Sequence, residues 1–152
     1  MRTKTIFLAG PLTGVPYKDA LEWRRYVASR LPADITAFSA LRGKTYLENE
    51  RVLKDAYPEH LLSTARGTVT RDRYDVCRCG ALFVNLLDTD KVSIGTMMEM
   101  AWADVQRIPI ILAMEIGNIH DHAFVRQVAG FVTRDLDEAI QTAVDVLSTK
   151  IA

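Results

Sequence analysis

The segment between residues 81 and 106 constrains the fold of this chain more than any other. It begins with an apolar run, Ala81–Leu87, which has the length and composition of a buried strand. A polar turn, Asp88–Lys91, separates this run from a helical pattern over Ser93–Gln106, whose first turn is rich in Ser, Gly and Thr. A strand followed by such a helix predicts an α/β unit with free backbone N–H groups at the edge of the sheet, where an anion or a sugar can bind.

The same alternation of strand and helix runs along the rest of the chain. We expect strands at Thr5–Ala9, Asp34–Phe38, Ala81–Leu87, Ile108–Met114 and Gly130–Thr133, and helices at Asp19–Leu31, Asp72–Cys79, Ser93–Gln106, His120–Ala129 and Asp135–Lys150. Alternating elements predict a mostly parallel sheet with helices on both faces. We therefore expect a single domain over residues 1–152, an α/β three-layer sandwich of the flavodoxin-like or Rossmann-like type, with five strands in the order 2-1-3-4-5.

Ligands of such sheets bind beyond the carboxyl ends of the strands, at the switch point between strands 1 and 3. The loops that meet there are 10–14, which begins with Gly10 and Pro11, and 88–96. The segment 39–68, which contains Arg42, has no clear periodicity. A segment of this length is typical of an active-site cover or binding loop, and a solvated excursion is the equal alternative.

Composition excludes several classes of function. The 19 Lys and Arg residues balance 19 Asp and Glu residues and form no concentrated basic surface, so binding to a nucleic-acid polymer is not expected. No apolar run reaches the ~18–20 residues that span a bilayer, so no membrane partner is expected. The apolar run near the start of the chain, Thr5–Ala9, is too short to be the core of a signal peptide. We therefore expect a cytoplasmic protein.

Common catalytic motifs are absent. The loop 10–14 has neither the dinucleotide-binding nor the P-loop spacing, and no nucleophile elbow or zinc-protease motif occurs. Cys77 and Cys79 are two residues apart, which suits neither a usual disulfide nor a redox pair. The sequence His120-Asp121-His122 could chelate a metal weakly, but we favour Asp121 as a helix cap between solvated histidines. No cofactor and no metal are expected.

Carboxylates are the remaining candidates for chemistry. Asp72 precedes the third strand, Asp88 and Asp90 follow it, and Glu99 is a lone acid on an apolar helix face. Cleavage of a glycosidic bond needs one ionised carboxylate at the anomeric carbon and one protonated carboxyl for the leaving group. The alternative is structural: Asp72 could cap a helix, and Glu99 could pair with a nearby basic residue, Lys91 or Arg107.

At this point the chain resembles the nucleoside 2-deoxyribosyltransferase superfamily, which includes the 2'-deoxynucleoside 5'-monophosphate N-glycosidases. The resemblance covers nearly the whole chain. It rests on Thr-Ile-Phe-Leu-Ala-Gly-Pro at 5–11, Arg-Asp at 71–72, and Ser-x-Gly-Thr-x-x-Glu-x-Ala-x-Ala at 93–103. The resemblance implies that Glu99 attacks C1' as the nucleophile and that Asp72 protonates the departing base. It also implies that Ser93, Gly95 and Thr96 hold the sugar or its 5' substituent.

Two positions depart from the family pattern. Many members have a strand-1 Tyr whose hydroxyl orients the nucleophile, and Phe7 stands there, so Tyr74 or a neighbouring subunit would have to supply that donor. The transferases that act on free nucleosides have Asp six residues before the nucleophile, whereas the monophosphate hydrolases resemble this chain in having Ser, here Ser93. A serine at a helix N-terminus accepts a phosphate that an aspartate would repel. Asp90 remains a second candidate for the 5'-hydroxyl contact.

The resemblance also implies a homodimer or higher homo-oligomer in which a neighbour completes the site. Asn118 and the segment 120–125, with His122 in particular, are the candidates for that contribution. The expected activity is cleavage of the N-glycosidic bond of a 2'-deoxynucleoside or its 5'-monophosphate. The deoxyribosyl group then passes to another nucleobase or to water. A non-catalytic nucleotide-sensing module on the same fold is the alternative.

Overall fold

The structure, a computed structural model, describes residues 3–152, so the first two residues of the predicted domain lie outside it. The strands are β1 (Thr5–Ala9), β2 (Thr36–Ser39), β3 (Ala81–Asn85), β4 (Ile110–Ala113) and β5 (Phe131–Thr133). The helices are α1 (Tyr17–Arg30), α2 (Ala65–Arg78), α3 (Ile94–Val105), α4 (Ala123–Val128) and α5 (Leu136–Leu147), with short 3-10 turns at Thr45–Leu47 and Leu61–Ser63.

The five strands form one sheet in the order β2-β1-β3-β4-β5, and all four neighbouring pairs are parallel. In register, Phe7 of β1 lies between Phe38 of β2 and Leu82 of β3. The predicted fold class and strand order are therefore confirmed. In this order β2 lies on one side of β1 and β3 on the other, so the carboxyl end of β1 lies at the switch point of the sheet, where the connections diverge.

Each face of the sheet has its own core. On one face, Phe7 and Val84 pack with residues of α2, α3 and α4, including Val76 and Met100. On the other face, Ile6, Leu8 and Phe83 pack against α1 and α5. The three central strands, β1, β3 and β4, are buried on both sides, which explains why they read as unbroken apolar runs in the sequence.

The helix α2 is longer than its sequence predicted. It begins at Ala65 and not at Asp72, and Thr64 caps it by accepting a hydrogen bond from the backbone N–H of Gly67 at 2.9 Å. The prediction that Asp72 opens this helix was wrong. The reason is that α2 buries Asp72 and Asp75 beside Val76, so its interior face lacks the apolar stripe by which a helix is recognised.

The segment 40–64, which joins β2 to α2 and is called the cover segment below, packs against α1 and has a small hydrophobic core of its own. Leu41, Leu47, Leu53 and Tyr57 are buried against Tyr17 and Ala20 of α1. The backbone also ties this segment to the loop after β1, since Gly14 N–H donates to the Leu53 carbonyl at 2.8 Å. Of the two alternatives for this segment, the solvated excursion is therefore wrong.

The remaining differences lie at element ends. The helix α1 begins at Tyr17, with Pro16 in the N-cap position, and ends at Arg30. The strand β4 begins at Ile110, after a proline that cannot donate to the sheet. Within the described residues, no helix is long and apolar enough to cross a membrane.

The substitution Gly10→Ala should destabilise the fold. A Cβ at Gly10 would lie 2.9 Å from the Asn85 carbonyl oxygen and 2.9 Å from the ring of Trp23, so backbone must move. We expect a loss of about 1–3 kcal/mol in the free energy of unfolding, measured by urea denaturation. Gly95→Ala is the matched control, because its Cβ would point into open space within a helix and should be neutral or slightly stabilising. Equal effects of the two substitutions would contradict this packing argument.

Candidate active site

Glu99 lies in the second turn of α3, on the face that also buries Thr96, Met100 and Ala103. Its side chain is almost completely buried, and it forms no hydrogen bond and no ion pair with any residue in 3–152. The alternative ion pairs with Lys91 and Arg107 are therefore not formed. Burial raises the pKa of Glu99 to about 8, with a further contribution from the nearby Asp72 carboxylate.

Asp72 reaches the same region from α2, where only 5% of the residue is exposed. Its Oδ1 atom is buried and has no hydrogen-bond partner among the described residues. Burial raises the pKa of Asp72 to about 6, and the neighbouring cations Lys44, Arg71 and Arg42 limit the rise. Since Asp72 lies inside the helix, it is not a capping residue. A buried carboxyl oxygen without a partner needs an explanation, and a hydrogen bond to a bound ligand would provide one.

The two carboxyl groups act as one acid–base unit. The charge of Asp72 raises the pKa of Glu99, so ionising both at once is unfavourable. Between about pH 6 and pH 8 the pair therefore holds one proton and one negative charge. This state contains one nucleophile and one proton donor, which is the combination that glycosidic cleavage requires.

Arg24 is a functional candidate that the sequence analysis missed. It is buried in α1, and its guanidinium donates to the backbone carbonyls of Leu8, Gly10 and Ala20 at 3.3, 3.1 and 2.6 Å. Burial lowers its pKa to about 10, and the carboxylates Glu99 and Asp72 oppose that change. It therefore remains charged at neutral pH and supplies a fixed positive charge at the carboxyl end of β1.

A signal for Arg24 was present in the sequence. The residues of α1 that are buried, Tyr17, Ala20, Arg24 and Val27, follow a helical spacing of three and four. Arg24 is thus a lone cation on an apolar helix face, as Glu99 is a lone acid on α3. The two anomalies belong to one site.

The N-terminus of α3 forms a polar mouth beside this pair. Ser93 occupies the N-cap position of α3, and its hydroxyl lies 2.8 Å from the hydroxyl of Thr96. No side chain caps the first turn of α3, so the backbone N–H groups of residues 94–96 have no partner within the helix. The serine, glycine and threonine predicted to bind substrate are therefore brought together at one helix end.

His120 holds that mouth in place. Its Nε2 atom accepts a hydrogen bond from the Ser93 backbone N–H at 2.8 Å, and its Nδ1 atom lies 2.9 Å from the amide oxygen of Asn118. This pattern requires a neutral ring with the proton on Nδ1, and burial of His120 lowers its pKa accordingly. Asn118 in turn donates to the Leu86 carbonyl at 2.6 Å. Both residues thus have hydrogen-bond partners within their own chain, and their predicted contribution to a neighbouring subunit stays a prediction.

The prediction for the segment 120–122 was wrong in two respects. His120 is buried and not solvated, and the residue that caps α4 is His122, whose Nδ1 accepts from the Phe124 backbone N–H. Asp121 instead forms an ion pair with Arg126. The sequence could not reveal this because the Asn118–His120 turn is held by contacts with Ser93, which is distant in the chain.

Other predicted substrate-binding residues lie near the pair or point elsewhere. Gly10 and Pro11 are in the loop after β1, and Phe7 is fully buried in the core beneath α2 and α3. Asp90 is exposed, and Arg42 forms an ion pair with the buried Asp75.

Two further predicted residues lie away from the carboxylate pair. The exposed His122, at the start of α4, is not part of this cluster. Tyr74 is 63% exposed under the guanidinium of Arg78, so it is no donor to Glu99 within this chain.

No group of three or more His, Cys, Asp or Glu side chains that could hold a metal occurs in the region covered by the structure. Cys79 is buried and donates to the Val76 carbonyl, whereas Cys77 is partly exposed in α2. The charged groups at the carboxyl edge of the sheet are therefore left as the candidate for chemistry.

Comparisons with known proteins support the fold. No protein-family model matches the sequence, and no curated protein matches it. Among solved structures, the chain is similar to a conserved protein from Enterococcus faecalis V583, with a TM-score of 0.51 and 17% identity over 96% of this chain and 88% of the other. At this identity the likeness concerns the fold alone, so the activity implied by the motifs stays a prediction.

Glu99→Gln should stabilise the protein increasingly as the pH rises. The folded state keeps a proton on Glu99 up to about pH 8, whereas an unfolded glutamic acid loses it near 4.5, so the free energy of unfolding falls between these values. Glutamine removes this dependence. We expect a gain over the wild type of a few kcal/mol (about 1.4 kcal/mol for each pKa unit) by pH 8 and almost none at pH 4.

Chemical denaturation at several pH values measures this gain. The control is Glu22→Gln, since Glu22 is exposed on α1. A difference between Glu99→Gln and wild type that does not vary with pH would mean that Glu99 is not held in its protonated form.

Proposed function

We propose that this protein cleaves the N-glycosidic bond of a 2'-deoxynucleoside 5'-monophosphate, with Glu99 as nucleophile and Asp72 as acid. The observation that carries the proposal is the buried Asp72–Glu99 pair, neither member of which has a structural partner for its free oxygen among residues 3–152. Structural carboxylates at such depth are usually paired, as Asp75 is with Arg42 and Arg78. Two neighbouring carboxyl groups without ion-pair partners, at the ligand-binding edge of a parallel sheet, are typical of a reaction site.

The reaction proceeds in two displacements. The ionised Glu99 carboxylate attacks C1' and forms a C–O bond, while the electrons of the C1'–N bond leave with the base, which takes the proton of Asp72. Asp72, now ionised, then accepts a proton from water or from an acceptor base. That nucleophile bonds to C1' and releases the Glu99 carboxylate. The hydrolase and the transferase differ only in the second nucleophile.

Arg24 supports the first step. The reactive form of the pair has its charge on Glu99 and its proton on Asp72, whereas the pKa values of about 8 for Glu99 and about 6 for Asp72 place the proton on Glu99 before substrate binds. The fixed charge of Arg24 lowers the pKa of Glu99 and so increases the reactive form. Arg24 acts on Glu99 through its charge alone, because its guanidinium donates to backbone carbonyls, so it does not replace the hydroxyl that Phe7 lacks.

The phosphorylated substrate is favoured by the mouth of α3. Ser93 is partly exposed and Gly95 is exposed there, the backbone N–H groups of residues 94–96 have no partner within the helix, and the first turn carries no carboxylate. The positive end of a twelve-residue helix stabilises a phosphate dianion at this position. The 5' end of the substrate would lie at Ser93 and the scissile bond at Glu99.

We propose a homo-oligomer as the working form. Ile94, Met98 and Val105 lie along one side of α3 at helical spacing and are 73%, 44% and 76% exposed. A row of exposed apolar side chains on one helix suits contact with a second copy of the chain. The partner could supply the orienting donor that Phe7 lacks.

A nucleotide-sensing module is the second candidate. The observation in its favour is that no hydroxyl or amide donor orients Glu99 within the described chain, so the group could remain protonated when a nucleotide binds. Calorimetry that detects tight binding without release of base over hours would support this candidate instead of the enzyme.

Release of free base from deoxynucleoside monophosphates should follow a bell-shaped pH profile. Below about pH 6 both carboxyls are protonated and no nucleophile remains, and above about pH 8 both are ionised and no acid remains. Chromatographic measurement of kcat/KM should therefore give a maximum between these limits. Glu99→Gln should lower turnover on the order of a thousandfold or more, and Asp72→Asn by about a hundredfold or more. Full activity of Glu99→Gln would disprove the mechanism, and Glu22→Gln serves as the unaffected control.

Ser93→Asp should reverse the preference for the 5' substituent. We expect the wild type to prefer the monophosphate over the nucleoside. An added carboxylate repels the phosphate and should lower kcat/KM for the monophosphate by about tenfold or more, with little loss for the nucleoside. Ser93→Ala separates charge from loss of the hydroxyl and should have the smaller effect. Equal use of both substrates by the wild type would contradict the phosphate site.

A further inference from the structure

His120 is a buried titratable residue that the proposed mechanism does not use. It lies between β4 and α4, and only 3% of it is exposed. Its Nε2 atom accepts the hydrogen bond of the Ser93 backbone N–H at 2.8 Å, across 27 positions of the chain. Ser93 is the N-cap residue of α3, so its N–H lies outside the hydrogen bonds of the helix. A histidine from another loop therefore holds the backbone at the point where α3 begins.

The partners of the ring determine which nitrogen carries the proton. A backbone N–H can only donate, so Nε2 is the acceptor and the neutral ring has its proton on Nδ1. Nδ1 lies 2.9 Å from the amide oxygen of Asn118, which also accepts the backbone N–H of His120 at 2.8 Å. The amide nitrogen of Asn118 donates to the Leu86 carbonyl and to Glu115 Oε1 at 2.6 and 2.9 Å. The direction of each bond in this Asn118–His120 relay is thereby fixed.

The Asn118–His120 relay also joins the loops that follow β3 and β4. The Thr89 hydroxyl, in the loop after β3, donates to the Leu86 carbonyl at 2.9 Å and lies 3.2 Å from Nδ1 of His120. Glu115, which follows β4, accepts from the Asp88 backbone N–H at 3.3 Å. The ring is therefore held from two loops, and its acceptor nitrogen is aimed at α3.

Ser93 transmits this restraint to the first turn of α3. Its N–H is held by His120, and its carbonyl accepts the Met97 backbone N–H at 3.1 Å, which closes that turn. Glu99 follows in the second turn, where the helix is packed on the core through Met100. Loss of the His120 contact should therefore displace the first turn more than it displaces the nucleophile.

Protonation of His120 is incompatible with this contact. An N–H on Nε2 would face the Ser93 N–H, and two donors cannot share one hydrogen bond at 2.8 Å. Burial lowers the pKa of His120, and the Glu115 carboxylate raises it by less. Against burial, hydrogen bonds from its own backbone, Asn118 and Asp88 hold the pKa of Glu115 below its ordinary value.

Two consequences follow for the charges around the ring. Glu115 is ionised throughout the pH range in which a histidine titrates, and the adjacent Asp121 is paired with Arg126. The ring therefore stays neutral near pH 7 and gains its proton only below the ordinary histidine value of about 6.5.

We propose that His120 is a positioning residue for the 5' end of the substrate: its neutral ring fixes Ser93 and the first turn of α3, and protonation of the ring releases them. The inference rests on the proposed function, which puts that end of the substrate at Ser93. Because the first turn moves and Glu99 does not, the effect falls on substrate binding and not on the chemical step.

Two variants of His120 test this positioning role through the release of base from a deoxynucleoside monophosphate. His120→Met removes the acceptor and should raise KM about tenfold, the effect of leaving a backbone N–H without its partner, while kcat changes by less than about twofold. His120→Gln is the conservative control, since its amide oxygen can take the place of Nε2, and it should restore most of the wild-type KM. An unchanged KM in His120→Met, or a fall confined to kcat, would overturn the inference.

The wild type alone provides the second measurement, which also holds if His120→Met fails to fold. Nitrogen-15 NMR follows the protonation of the three histidine rings, and hydrogen exchange gives the protection factor of the Ser93 amide at each pH. That factor should fall about tenfold or more as His120 gains its proton. Protonation of His60 and His122, which lie outside the relay, should leave it unchanged.

The outcomes separate the inference from the proposed function. A Ser93 amide that stays protected after His120 is protonated would overturn the inference and leave the proposed function intact. A ring that stays neutral until the protein unfolds in acid would do the same. Absence of base release from any deoxynucleoside monophosphate would end the proposed function and, with it, the role of His120 toward the substrate, whatever the amide shows.

Discussion

The burial of two carboxyl groups at the carboxyl end of β1 is the constraint on which the rest of this structure depends. Asp72 and Glu99 come from different helices on the same face of the sheet, and neither is neutralised by an ion pair among residues 3–152. Arg24, which is fixed to three backbone carbonyls, instead lowers the pKa of Glu99 from a distance. The cations Lys44, Arg71 and Arg42 do the same for Asp72. A dry environment strengthens each of these interactions, so the protonation of one group depends on the others.

This arrangement lowers the stability of the folded protein as the pH rises above the ordinary pKa of a glutamic acid. A well-packed apolar residue in place of Glu99 would satisfy the core formed by Met100 and Ala103 better than an acid whose pKa is about 8. Elsewhere the chain pairs its buried charges fully, as Asp75 is paired with Arg42 and Arg78. This contrast between paired and unpaired buried acids is the reason for proposing a catalytic role for Asp72 and Glu99 and a structural one for Asp75.

The sequence predicted the centre of the sheet well because β1, β3 and β4 are buried on both faces and form continuous apolar runs. It predicted Glu99 for the same reason, since a lone acid is conspicuous on an apolar helix. It failed on α2, where buried Asp72 and Asp75 remove the apolar stripe, and on His120, whose position is set by Ser93 across the chain. Local periodicity detects what solvent dictates, whereas contacts between distant polar residues leave no periodic signal.

The segment 40–64 is a fixed part of the fold beside α2, the helix that carries Asp72. Its residues Leu41, Leu47 and Tyr57 form a small core with α1, and Arg71 fixes its first turn to α2. The segment is thereby a rigid wall on the β2 side, while the mouth of α3 forms the β3 side. A ligand held between two preorganised ends is positioned without further ordering of the protein. For the substrate proposed above, the 5' phosphate would then be held at the N-terminus of α3 before any side chain reacts.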